Sequence, residues 1–124
     1  MIWVKIGDGM NPQDQLTAWS IDYDVSNPLF LGYIETDKSL AGRCKYRTDS
    51  HGIRYGAIQI RPELSNHPFL AKSVLWHEFN HHAVWYLYNE TGHGGKWFKR
   101  ELLKPMLLVG EFLAASYLVI YHYC

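Results

Sequence analysis

The sequence predicts an α+β fold, on three observations: a strand-rich first half gives way to a helical second half, one long segment carries helix start and stop signals around an apolar stripe, and no repeat or linker-like tract interrupts the chain. With 124 residues the chain is read as one domain, residues 1–124, long enough for a single modest core. Apolar residues make up 48% and charged residues 19%, a balance that excludes intrinsic disorder.

In the first half, Ile2 to Ile6 and Ala18 to Val25 alternate apolar with polar side chains, as half-buried strands do. Between them Asn11-Pro12 opens a short helical turn over Gln13 to Leu16, and Asn27-Pro28 marks a break. Phe30 to Glu35, Arg43 to Arg47 and Tyr55 to Ile60 are further strands, the last preceded by a turn at Asp49, His51 and Gly52. Ser65-Asn66-His67-Pro68 announces a helix over Pro68 to Asn89. Steps of three and four from Leu70 reach Val74, His77, His81, Val84 and Tyr88, so two histidines share the apolar stripe. Thr91-Gly92 stops that helix, Lys96 to Lys104 forms a second one ended by Pro105, and Met106 to Tyr121 closes the chain.

Twelve basic and twelve acidic residues leave no net charge, so there is no global basic excess to hold a phosphate backbone. Lys96, Lys99, Arg100 and Lys104 cluster locally, which suits a solvated helix face better than a nucleic-acid site. Cys44 and Cys124 are too few for a disulfide framework or a thiolate metal site and are read as free thiols in a reducing cytosol. With no signal-like N-terminus, the expected location is cytoplasmic. Met106 to Ile120 is apolar but shorter than the roughly 20 residues a bilayer needs, and it carries Glu111; it is read as a buried terminal helix rather than a membrane segment.

The chemistry lies in His77-Glu78-Phe79-Asn80-His81, an H-E-x-x-H arrangement. Residues four apart on a helix stand one turn above each other, so two imidazoles can reach one ion. Zinc suits neutral imidazole nitrogens in tetrahedral geometry, and a catalytic site leaves one position for water. Glu78, beside the metal rather than on it, can take a proton from that water and return it to a leaving amine. The bland alternative makes His77 and His81 ordinary core histidines hydrogen-bonded to neighbours; two isolated imidazoles on an apolar stripe would otherwise be costly. His82 points about a hundred degrees round the helix, which suits a surface or supporting residue. Tyr86, Tyr88, Tyr117 and Tyr121 are better read as packing than as holders of an oxyanion.

The chain resembles the SprT-like zinc metallopeptidases, a family related to the Spartan-type proteases. The resemblance rests on Leu40-Ala41-Gly42-Arg43-Cys44-Lys45-Tyr46, on Ala57 to Leu64, on Val74 to Ala83 around the H-E-x-x-H, and on Gly92-His93-Gly94-Gly95-Lys96-Trp97-Phe98; together it covers about half the chain. It implies a small zincin-like domain with a short sheet packed on the active helix and further C-terminal helices. It also implies a Zn²⁺ ion held by His77, His81 and His93, with Glu78 as the catalytic base and acid, and protein or peptide as substrate. The gap from His81 to His93 is short for the family, the first 39 residues lack the expected long N-terminal helix, and no Cys-rich zinc ribbon follows. Glu101, twenty positions after His81, has a spacing similar to that of the thermolysin-like gluzincins and is the alternative third ligand. Two other classes stay open: a non-catalytic zinc-binding module with a closed four-ligand site, and a DNA-associated protease whose nucleic-acid affinity would fall steeply with salt.

Overall fold

The computed structural model describes residues 11–37 and 39–120; the strand expected over Ile2 to Ile6 and the tail from Tyr121 lie outside them. Its elements run α1 (Pro12–Tyr23), β1 (Leu29–Tyr33), β2 (Gly42–Thr48), β3 (Arg54–Ile60), a 3-10 turn at Pro62–Asn66, α2 (Pro68–Tyr88), α3 (Gly95–Glu101) and α4 (Pro105–Leu118). This is the α+β arrangement expected, with α2, α3 and α4 following the sheet and α1 preceding it.

The sheet has the order β1-β3-β2. The hairpin from β2 to β3 is antiparallel, with Cys44 opposite Ile58 and Lys45 opposite Ala57. Asp49 builds its turn, its Oδ1 accepting from the backbone N–H groups of His51 and Ile53. On the other side β1 runs parallel to β3, with an irregularity between Phe30 and Gly32. Ala57, Ile58 and Ile60 of β3 are buried against α2.

The stretch Ala18 to Val25 is helical, not a strand. Asn11 caps α1 by accepting from the Asp14 N–H at 2.8 Å, and Pro12 sits in the first turn where its missing N–H costs nothing. The alternation of Trp19, Ile21 and Tyr23 mimics a period of two, but Ile21 is 75% exposed, and the buried set Leu16, Trp19 and Ser20 follows helical spacing. The first 39 residues therefore contain a helix of 12 residues where the sequence suggests only a turn over Gln13 to Leu16. Its Trp19 ring lies 5.1 Å from Trp76 and 5.6 Å from Phe79, so α1 docks on α2 through an aromatic cluster.

The central helix α2 is buried on every side from Ser73 through Val84. The sheet, α1, α3 and α4 all pack on it. Its start and its end, where Asn89 takes a left-handed conformation (φ 56°), agree with the sequence to a residue. The following helix is shorter than expected, ending at Glu101. The closing helix is not a buried one: Leu107, Gly110, Glu111 and Ala114 face the core, while Met106 (67%) and Phe112 (70%) are exposed. Among the described residues no helix is long and apolar enough to cross a membrane.

Candidate metal centre

Each turn of α2 near its middle contributes a different chemical group, because the helix has structure on all sides. His77 and His81, four residues apart, point to the same edge, where their Nε2 atoms lie 3.3 Å from each other. The loop after α2 brings a third imidazole to the same place: His93 Nε2 lies 3.2 Å from His77 Nε2. Gly92 makes the short loop possible by adopting φ +81°, a left-handed conformation most residues avoid; Gly94, by contrast, is extended and serves as the N-cap of α3.

Glu78 completes this cluster. Its side chain is fully buried, both carboxylate oxygens lack a hydrogen-bond partner, and Oε2 is 3.9 Å from His77 Nε2. Burial, and then the nearby charge of Glu101, pushes its pKa well above the usual carboxylate range. Burial acts in the opposite sense on His93, lowering its pKa and favouring the neutral ring that can donate a lone pair. Trp97, from the first turns of α3, backs all three imidazoles. Its ring stacks on His81 at 5.4 Å, meets His77 edge-on and His93 at a tilt, and its indole N–H donates to the His77 carbonyl at 3.4 Å.

His77, His81 and His93 form a group able to hold a metal ion. Two tests favour that fit. A tetrahedral ion with nitrogen arms of about 2.0–2.1 Å needs nitrogens about 3.3 Å apart, which is the separation found for both measured pairs. A fully buried carboxylate with no hydrogen-bond donor is otherwise an expensive placement, and a neighbouring cation favours its ionised form. His81, His93 and Glu78 line a cleft of about 310 Å³ together with Cys44 and Tyr46 of β2 and with Thr91 and Gly92.

Glu101, the alternative third ligand, is elsewhere. It approaches His77 from the opposite edge of the ring, 3.9 Å from Nδ1, in a second buried group with Glu111. Glu111 Oε1 lies 2.6 Å from the same Nδ1. Glu101 and Glu111 lie together in this group, and burial is the largest cause raising both their pKa values. In the sequence Glu111 stands out only as the one charged residue of an apolar helix. Nothing in the sequence marks Trp97 and Tyr46 as residues around the site, and of the two roles left to His82, surface or supporting, the structure shows the second. That ring is fully buried: its Nδ1 accepts from the Gly56 N–H at 2.7 Å and its Nε2–H donates to the Ser26 carbonyl at 2.6 Å, which ties α2 to β3 and to the loop before β1. Lys96, Lys99 and Arg100 line a separate cavity with Tyr88 and Leu103, and Lys104 lies over the Trp76 ring.

Comparison with known protein families matches residues 31–105 to the SprT-like family. Comparisons with curated proteins and with solved structures returned no match. The matched span covers more than half of the chain and includes the end of β1, all of β2 and β3, α2, the loop bearing His93 and α3. With that coverage, and with its histidine-bearing helix and downstream histidine meeting at one point, the chain belongs to the SprT-like family.

Proposed function

We propose that the protein is a zinc metallopeptidase, with the ion held by the Nε2 atoms of His77, His81 and His93 and with Glu78 as general base and acid. The observation that carries this reading is the convergence of three imidazole nitrogens beside an unpartnered buried carboxylate at the floor of a cleft. Zinc in a three-nitrogen site with an open position supplies Lewis acidity, making water acidic near neutral pH and polarising a carbonyl oxygen. Glu78 accepts the proton of the attacking water. A neighbouring cation would keep this buried carboxylate ionised until then, and its burial, which raises the pKa, helps the same oxygens hold the proton for delivery to the leaving amine.

The sheet favours an extended peptide as the substrate. Among the described residues β2 is an edge strand, paired only with β3, and its Cys44 and Tyr46 line the cleft. An edge strand offers unpaired backbone N–H and C=O groups to a chain lying alongside it. Tyr46 is held in place by stacking on Trp85 with ring centres 4.9 Å apart. His93 is itself exposed to the cleft, which suits an open catalytic ion better than a closed structural one.

Glu78→Gln tests the mechanism. The variant should retain zinc, because the three nitrogens are untouched, and its peptide hydrolysis should fall by about 10²–10⁴-fold. Retention of zinc with undiminished turnover would remove Glu78 from the reaction; retention of zinc by a wild-type chain that hydrolyses no peptide would leave a binding module.

A further inference from the structure

The buried group on the far side of His77 has no part in the proton transfers above, yet it joins three helices. Asn80 Nδ2–H on α2 donates to Glu101 Oε1 on α3 at 3.4 Å; Glu101 lies beside Glu111 of α4 in one buried group; Glu111 Oε1 lies 2.6 Å from His77 Nδ1, back on α2. All four side chains are buried, Glu101 at 0% and Glu111 at 4% exposure. Glu111 Oε1 thus faces the imidazole at hydrogen-bond distance, with Glu101 beside it in the same buried group.

We propose that Glu111, braced by Glu101 and Asn80, is the positioning residue of the metal centre: its Oε1 accepts the Nδ1–H of His77 and fixes the ring in the tautomer whose Nε2 lone pair faces His81 and His93. An imidazole has two nitrogens and, when neutral, one proton. If that proton sat on Nε2 it would point into the cluster, where His81 and His93 Nε2 already stand 3.3 and 3.2 Å away. Holding it on Nδ1 requires a buried acceptor at hydrogen-bond distance on the other edge. Glu111 supplies one, and the face of α4 around it is otherwise Leu107, Gly110 and Ala114, which have no side chain able to do so. The paired acids are thereby a support for a ligand rather than ligands themselves. Such outer partners of a metal-bound histidine commonly account for 10–100-fold in metal affinity.

This assignment rests on the metallopeptidase reading for its consequence, but its geometry can be tested without metal. Nitrogen NMR of the metal-free, full-length chain reports which nitrogen of His77 carries the proton. It should be Nδ1 in the wild type and in Glu111→Gln, whose amide oxygen can accept the same hydrogen bond, and it should redistribute toward Nε2 in Glu111→Leu. Competitive zinc titration of the same three proteins should show one ion per chain, a 10–100-fold loss of affinity in Glu111→Leu, and affinity restored most of the way by Glu111→Gln. A proton on Nε2 of His77 in the wild type would overturn the assignment, as would undiminished zinc affinity in Glu111→Leu or a second equivalent of zinc lost on changing Glu111. Failure of the wild type to bind zinc at all would count against the metallopeptidase reading while leaving the Nδ1 result to stand on its own.

Discussion

Glu78 and His82 sit one helical turn apart on α2, both at 0% exposure, and burial drives both toward their neutral forms by moving their pKa values in opposite directions. For His82 the value falls to about 4, with burial as the largest cause. The hydrogen bonds explain why a second proton is unwelcome. Nδ1 already accepts from the Gly56 N–H, so a proton there would face a donor. The folded chain thus binds fewer protons at this site than the unfolded chain, whose histidine titrates near 6.5. The stabilisation is complete above pH 6.5 and is lost as the pH falls through that value toward about 4. At about 1.4 kcal/mol per pKa unit this amounts to roughly 3 kcal/mol. Urea unfolding of the metal-free protein at several pH values should show this slope in the wild type and lose it in His82→Gln; equal slopes in the two would contradict the role. The site's legibility divides along the same line. His77, Glu78 and His81 were readable because their relation is set by helix geometry within five residues. His82 was not, because a position a hundred degrees off an apolar stripe faces solvent only when the helix has a solvent side, and the middle of α2 has none.

At the scale of elements, the fit between α2 and α4 is the closest contact near the site. A side chain at Gly110 would collide with Ser73 Oγ, and its Cβ would come within 2.8 Å of Ser73 Cβ and 3.0 Å of Phe69 Cε1. Replacing a glycine within a helix ordinarily gains up to about 1 kcal/mol, whereas overpacking a tight contact with a branched side chain costs about 1–3 kcal/mol or more. The clash should win. Gly110→Val is expected to lower the unfolding free energy of the metal-free protein by about 2 kcal/mol, and to weaken zinc binding because Glu111 is the next residue. An unchanged urea midpoint would show that α4 is free to shift. The strands, α2 and the start of α4 were readable because turn residues, prolines and periodicity agree there. In α1, Trp19, Ile21 and Tyr23 imitate a strand, and only the Asn11 cap with Pro12 and the tertiary docking of Trp19 on Trp76 decide for helix. The exposure of α4 was unreadable for a related reason: an apolar helix gives no sign of which face is covered, and here the lone acid marks the inner face.

Across the whole molecule, the centre depends on parts distant in sequence. His77 and His81 come from the central helix, His93 from the loop beyond it, Trp97 from α3, and Glu111 from α4, while β2 walls the cleft. The α+β class and the zinc-ligand pattern could be inferred from local signals. His93 is preferred to Glu101 in the sequence only through the family resemblance, since each lies at a plausible distance along the chain; the tertiary fold places one at Nε2 of His77 and the other near Nδ1. That choice is also the central claim, and zinc content addresses it directly. The chain, purified without added metal and analysed by elemental mass spectrometry, should carry about one zinc. His93→Ala should carry little, whereas Glu101→Ala should keep the ion, more weakly held. Zinc retained in His93→Ala and lost from Glu101→Ala, or none in the wild type even after dialysis against it, would contradict a three-imidazole centre.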